Sequence, residues 1–159
     1  MDPKAKRLAN LLKRGRLLHW QNARALAAAR LGLRLPEAVM PRADLVYRTV
    51  QIVGAVRFVQ ARRYLAGAAL DGFLGDVYDG VAGKDARRLE KLVEIYAGAF
   101  DDERRFSELV ANDLAHALLG KASQAASAAL SQTPGAVLKT TCLYCAEVFG
   151  DAATVRALG

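Results

Sequence analysis

Nine basic side chains lie between Pro3 and Pro36, namely Lys4, Lys6, Arg7, Lys13, Arg14, Arg16, Arg24, Arg30 and Arg34, with no Asp or Glu among them. Residues 1–48 hold eleven Lys and Arg against Asp2, Glu37 and Asp44, a net charge of +8. Residues 49–159 hold twelve against thirteen acids, a net charge of −1. A near-neutral body thus carries a cationic N-terminal segment, and the chemistry open to such a segment is neutralisation of a polyanion. His19-Trp20 stands in the middle of it. Trp20 either stacks on a base or sugar while His19 touches phosphate, or it anchors the segment on a neighbouring subunit.

Other constellations carry less. Cys142-Leu143-Tyr144-Cys145 has the spacing of a metal or redox pair, but a structural zinc site needs four ligands and no second Cys pair exists. Redox pairs sit at a helix N-terminus, where the dipole lowers the thiol pKa. This pair lies about two turns into its helix, so buried core cysteines are expected. Gly80-Val81-Ala82-Gly83-Lys84-Asp85 resembles the end of a phosphate-binding loop. It fails because Tyr78 stands where the first Gly is required and Asp85 where a Ser or Thr would hold magnesium. Asp71, Asp76 and Asp79 lack EF-hand spacing and read as turn and capping residues. His116 reads as a helix-face histidine. No Ser/His/Asp set, HExxH or catalytic carboxylate pair is present, so no enzymatic activity, cofactor or metal is expected.

The elements that must position the cations are helices. Ala, Leu and Arg dominate the 159 residues, and alternating β-branched runs are nearly absent, so an all-α fold is expected. Residues 1–35 read as a basic helical arm, Lys4 to about Leu33, loosened at Gly15. Leu8, Leu11, Leu18, Ala25, Ala29 and Leu33 form a narrow apolar stripe with Gly15 and Asn22 on the same line. The cations occupy most of the remaining circumference. Residues 36–43 read as a hinge, because Pro36 and Pro41 remove amide donors and push their preceding residues out of the helical region.

Residues 44–159 read as a bundle of about four main helices. Asp44 has the character of an N-cap for an apolar helix running to about Leu70. Gly72, Gly75, Gly80 and Gly83 predict short turns in place of a long element. Further helices are expected over Asp85–Phe100, from Asp101-Asp102-Glu103 to Gly120, through Ala122–Leu130, and from Thr133-Pro134 to Gly150. A last turn or two is expected in Asp151–Leu158. The basic start lacks the apolar core of a signal peptide, and a mitochondrial transit peptide is disfavoured by the absence of Ser and Thr in residues 1–48. The longest uncharged stretch, Ala122–Leu138, contains Ser, Gln, Thr, Pro and Gly and is unsuited to a bilayer. A soluble protein, bound at a membrane surface at most, is the expectation.

Nothing in the chain resembles a sequence-reading motif, so binding through phosphate charge and helical shape is expected. Neutralising six to nine phosphates would give a log–log salt slope of roughly −5 to −8 on duplex DNA. The layout of Lys4–Arg34, the Leu31–Pro41 break and the Leu45–Phe149 bundle resembles the DNA-wrapping major capsid proteins of rod-shaped and filamentous archaeal viruses. That resemblance implies a helical arm that wraps double-stranded DNA, a bundle that packs against neighbouring subunits, and a homodimer or a heterodimer with a paralogous subunit inside a helical filament. The protein would reside in the virion, with membrane contact only indirect if an envelope is present. It also implies phosphate contacts from Lys4, Lys6, Arg7, Lys13, Arg14, Arg16, Arg24 and Arg30, extended by Arg34, Arg42 and Arg48, with lesser contacts from Arg62-Arg63 and Arg87-Arg88. The arm's apolar stripe would meet another subunit. A small helical subunit of an RNA-guided effector complex, with its charge on the bundle, and a cytoplasmic helical adaptor for an acidic protein are the alternatives.

Overall fold

The computed structural model describes residues 2–13, 25, 28–32, 34, 40–81, 84–121 and 123–159. Among them every regular element is a helix, so the fold is all-α. The long-helix expectation for the first 33 residues, its Gly15 break and the centre of the hinge at Pro36 fall largely outside the described residues.

Helix α1 spans Pro3–Lys13. Pro3 opens it, where its missing amide hydrogen is no loss. The Asp2 carboxylate accepts the Lys4 amide N–H at 2.8 Å and places a negative charge at the positive end of the helix. Ala5, Leu8, Ala9 and Leu12 are fully buried against α2, α3 and α7 described below. The apolar face of α1 is therefore part of the bundle's core, whereas the sequence reading sent it to a neighbouring subunit. Four apolar side chains at helical spacing gain more from a groove in their own chain than from solvent.

Helix α2 spans Met40–Ala61, not Leu45–Leu70. Asp44 lies inside it, and Pro41 is accommodated in its first turn. The helix is apolar on most of its circumference because it is the central element. Ala43, Val46, Tyr47, Val50 and Val53 enter one hydrophobic cluster, and Ile52, Ala55, Phe58 and Val59 enter the other. At its end Tyr64 N–H donates to Val59 O at 2.9 Å and Arg63 N–H to Gln60 O at 3.1 Å. Arg63 takes the left-handed conformation, φ 58°, where glycine is usual. With no Gly or Pro at the stop, the local sequence carries no mark of it.

Helix α3, Gly67–Asp79, runs straight through Gly72 and Gly75, where turns were predicted. Leu70, Phe73 and Val77 are buried at helical spacing, and that burial outweighs the roughly 1 kcal/mol that each interior glycine costs relative to alanine. Helix α4 spans Lys84–Ala99 and α5 spans Glu103–Leu119. The Asp102 carboxylate accepts the Arg105 amide at 3.1 Å at the start of α5, and Gly120, φ 72°, closes it.

Helix α6, Gln124–Leu130, is capped by the Ser123 hydroxyl accepting from the Ala126 amide at 3.0 Å. Helix α7 spans Thr133–Phe149, with Pro134 in its first turn and Gly150 in the left-handed region after it. Helix α8, Ala152–Leu158, is capped by Asp151. Its carboxylate accepts the Thr154 hydroxyl at 2.8 Å and amide at 3.1 Å, and these bonds hold its pKa below the ordinary carboxylate value.

Two clusters lie on either side of α2. One joins α1, α3, Leu89 of α4 and the C-terminal half of α7, where Cys145, Ala146, Val148 and Phe149 are buried. The other joins α4, α5, α6 and Val137 near the start of α7. At Gly54 the two long helices α2 and α7 approach closely: a Cβ there would stand 2.8 Å from Leu138 Cδ2.

Candidate nucleic-acid interface

Burial of one face of α1 fixes what the other face presents. Lys4, Lys6 and Arg7 are exposed, fixed in place by Ala5, Leu8, Ala9 and Leu12 beneath them. Lys13 is different. It is half-buried and its ammonium pairs with Asp76 of α3, while its stem crosses Gly80 so closely that a Cβ there would stand 2.5 Å from Lys13 Cγ. Lys13 thus seats α1 on α3, and the phosphate role expected of it is taken up by an internal carboxylate.

Arg14, Arg16, His19, Trp20 and Arg24 lie outside the described residues. Residues 28–31 are helical. Arg30 is exposed and its Nη2 donates to Gln132 Oε1 at 2.7 Å, which ties this segment to the start of α7. Arg34 is exposed. Ala25 and Ala29, read as part of the apolar stripe, are exposed within the chain; Leu31 packs against a hydrophobic cluster.

Beyond the hinge, Arg42 and Arg48 of α2 line a cavity of about 360 Å³ together with Asp44, Leu45, and Asp85 and Arg88 of α4. Arg42 and Arg88 are exposed and Arg48 is half-buried. Sequence reasoning gave Arg88 a lesser place, and no local signal could have raised it, since only the packing of α4 on α2 brings it to Arg42 and Arg48. Other body arginines are structurally engaged. Arg62 donates to Thr154 Oγ1 at 3.0 Å and stands 3.7 Å from Asp151 Oδ2. Arg57 donates to Ala97 O at 3.0 Å and lies over the Phe100 ring. Arg63 and Arg87 are exposed.

Cys142 is half-buried and Cys145 buried, unbonded, with burial raising both thiol pKa values. A thiol held protonated is a poor nucleophile and a poor ligand. Asp76 is committed to Lys13, and no group of three or more His, Cys, Asp or Glu suited to a metal occurs among the described residues. His116 is exposed in the last turn of α5. A wider open cavity of about 920 Å³ between α5 and α6 is lined by Asn112, Ser123, Ser127 and Ser131 together with Arg105, Glu108 and apolar groups. No described helix is long and apolar enough to cross a membrane. Comparison with protein-family models, with curated proteins and with solved structures finds no match.

Proposed function

We propose that this chain is a structural nucleic-acid-packaging protein, a major capsid protein that binds viral double-stranded DNA without reading its sequence and assembles with identical or paralogous copies into a helical filament within the virion. The observation that carries the reading is the segregation of charge: +8 in residues 1–48 against −1 in the remainder, with Lys4, Lys6 and Arg7 turned outward from a helix whose other face is core. Cations on a rigid face match a row of phosphates and carry no base information. No catalytic step is assigned to the chain.

Equal affinity for two random duplexes of unrelated sequence, with filaments visible by electron microscopy, is the expected result. A preference above about tenfold for one duplex, more than positioning contacts to phosphate supply, or no binding at all, would overturn it. Deleting residues 1–40 is the wrong probe, because it removes four buried residues of α1 from the core. A second reading, a helical subunit of an RNA-guided effector complex, is favoured by one observation: α1 and the Arg42, Arg48, Arg88 cavity put cations on the bundle itself. Filaments on duplex DNA with no RNA present would set that reading aside.

A further inference from the structure

We propose that Arg42, Arg48 and Arg88 form a discrete site for one phosphodiester group of double-stranded DNA, separate from the outward face of α1; the proposal rests on the nucleic-acid reading above. Arg42, Leu45 and Arg48 follow one another at three-residue spacing along α2, and Arg88 reaches the same cavity from the first turns of α4. The cavity, about 360 Å³, has room for a phosphate group. Each guanidinium offers a planar fork of donors suited to bidentate contact with phosphate oxygens.

Unlike Arg57, Arg62 and Arg104, these arginines are unclaimed among the described residues, and unlike the exposed Arg63 and Arg87 they line one cavity together. Arg57, Arg62 and Arg104 each hold a hydrogen-bond or ion-pair partner, whereas none among the described residues engages Arg42, Arg48 or Arg88. Arg48 is half-buried, so less side-chain entropy is lost on binding there than at a fully exposed arginine. Asp44 and Asp85 line the same cavity. Three guanidinium groups against two carboxylates leave one positive charge, which suits the single negative charge of a backbone diester and repays poorly the desolvation of a phosphate dianion.

The test uses the full chain and random duplex DNA in a salt series. Arg88→Gln is expected to weaken binding about tenfold, the scale of one charge-assisted contact, and to make the log–log slope shallower by roughly 0.9, one phosphate. Arg87→Gln, one residue away, exposed and outside the cavity, is expected to change the slope by less than half as much. Thermal melting of both variants should match the parent, since both side chains are exposed.

Parent-like binding by Arg88→Gln, or equal effects of Arg87→Gln and Arg88→Gln, would overturn the site while leaving DNA binding intact. Failure of the unmodified chain to bind duplex DNA would remove the nucleic-acid reading itself and the site with it. Inorganic phosphate separates a backbone group from a free ion. The backbone site predicts that phosphate displaces DNA no better than chloride at equal ionic strength, and stronger displacement by phosphate would contradict it.

Discussion

The outward face of α1 and the cavity between α2 and α4 present cations in opposite ways. On α1, Lys4, Lys6 and Arg7 stand exposed around the outward half of a single helix, a surface of charge with little shape. In the cavity, Arg42, Arg48 and Arg88 converge from two helices, and Asp44 and Asp85 offset most of their charge. On the proposed reading, the first arrangement would supply long-range attraction to a polyanion and affinity that salt weakens strongly. The second supplies geometry: net charge is small, so its contribution depends on where a phosphate sits. The proposed packaging function would need both, attraction to gather along DNA and fixed points that set the path of the backbone.

The comparison depends on α1 being rigid, and the largest effect expected concerns that. Leu8→Ala should destabilise the fold by about 3 kcal/mol, the cost of a large-to-small change in a packed core, measured by urea denaturation. A loss below about 1 kcal/mol, short of the range for such core truncations, would mean that α1 is not firmly seated and that its cations form no fixed surface. Asp76→Asn asks whether the ion pair or the apolar face does the seating. With both side chains about a quarter exposed, 25% and 28%, its cost should stay at or below about 1 kcal/mol in the same assay.

Asp85→Asn sharpens the contrast from the other side. Removing one carboxylate from the cavity should tighten duplex binding by about threefold, consistent with a partly screened charge near the surface. On α1 the Asp2 carboxylate is already committed to the Lys4 amide at the helix start, so its removal would not be an equivalent test. A further effect is expected in alkali. Burial, and then Glu90 and Glu94, push the Tyr78 phenol from 10.0 up to about 12. The unfolded chain releases this proton near pH 10 and the folded chain holds it to about 12. Its contribution is therefore full below pH 10 and lost as pH rises toward 12. Tyr78→Phe should flatten the fall of thermal stability over that window, followed by melting at a series of pH values.

Much of the body was legible because its signals are local. Asp102 caps α5, Gly120 and Gly150 take left-handed conformations at helix ends, and Pro134 opens α7; each is a short-range match of residue type to backbone geometry. The errors arose where packing decided. Gly72 and Gly75 sit inside α3 because Leu70, Phe73 and Val77 need burial. Helix α2 stops at a left-handed Arg63, a residue that marks no end by its type. For the candidate site, the exposure of Lys4, Lys6 and Arg7 followed from the apolar stripe opposite them. The stripe gave no direction, so its burial within the same chain was not legible. Lys13 reads as a cation like its neighbours until Asp76, far along the chain, is brought beside it. Arg88 reaches Arg42 and Arg48 by the same kind of long-range packing.

The most direct test of phosphate binding by the outward face of α1 is the salt dependence of duplex DNA binding for the full chain and for Lys4→Gln/Lys6→Gln/Arg7→Gln. Those side chains are exposed, so the variant should fold as the parent does. Loss of three phosphate contacts should make the log–log slope shallower by roughly 2.7. A slope and affinity equal to the parent's would contradict the claim and remove α1 from the interface.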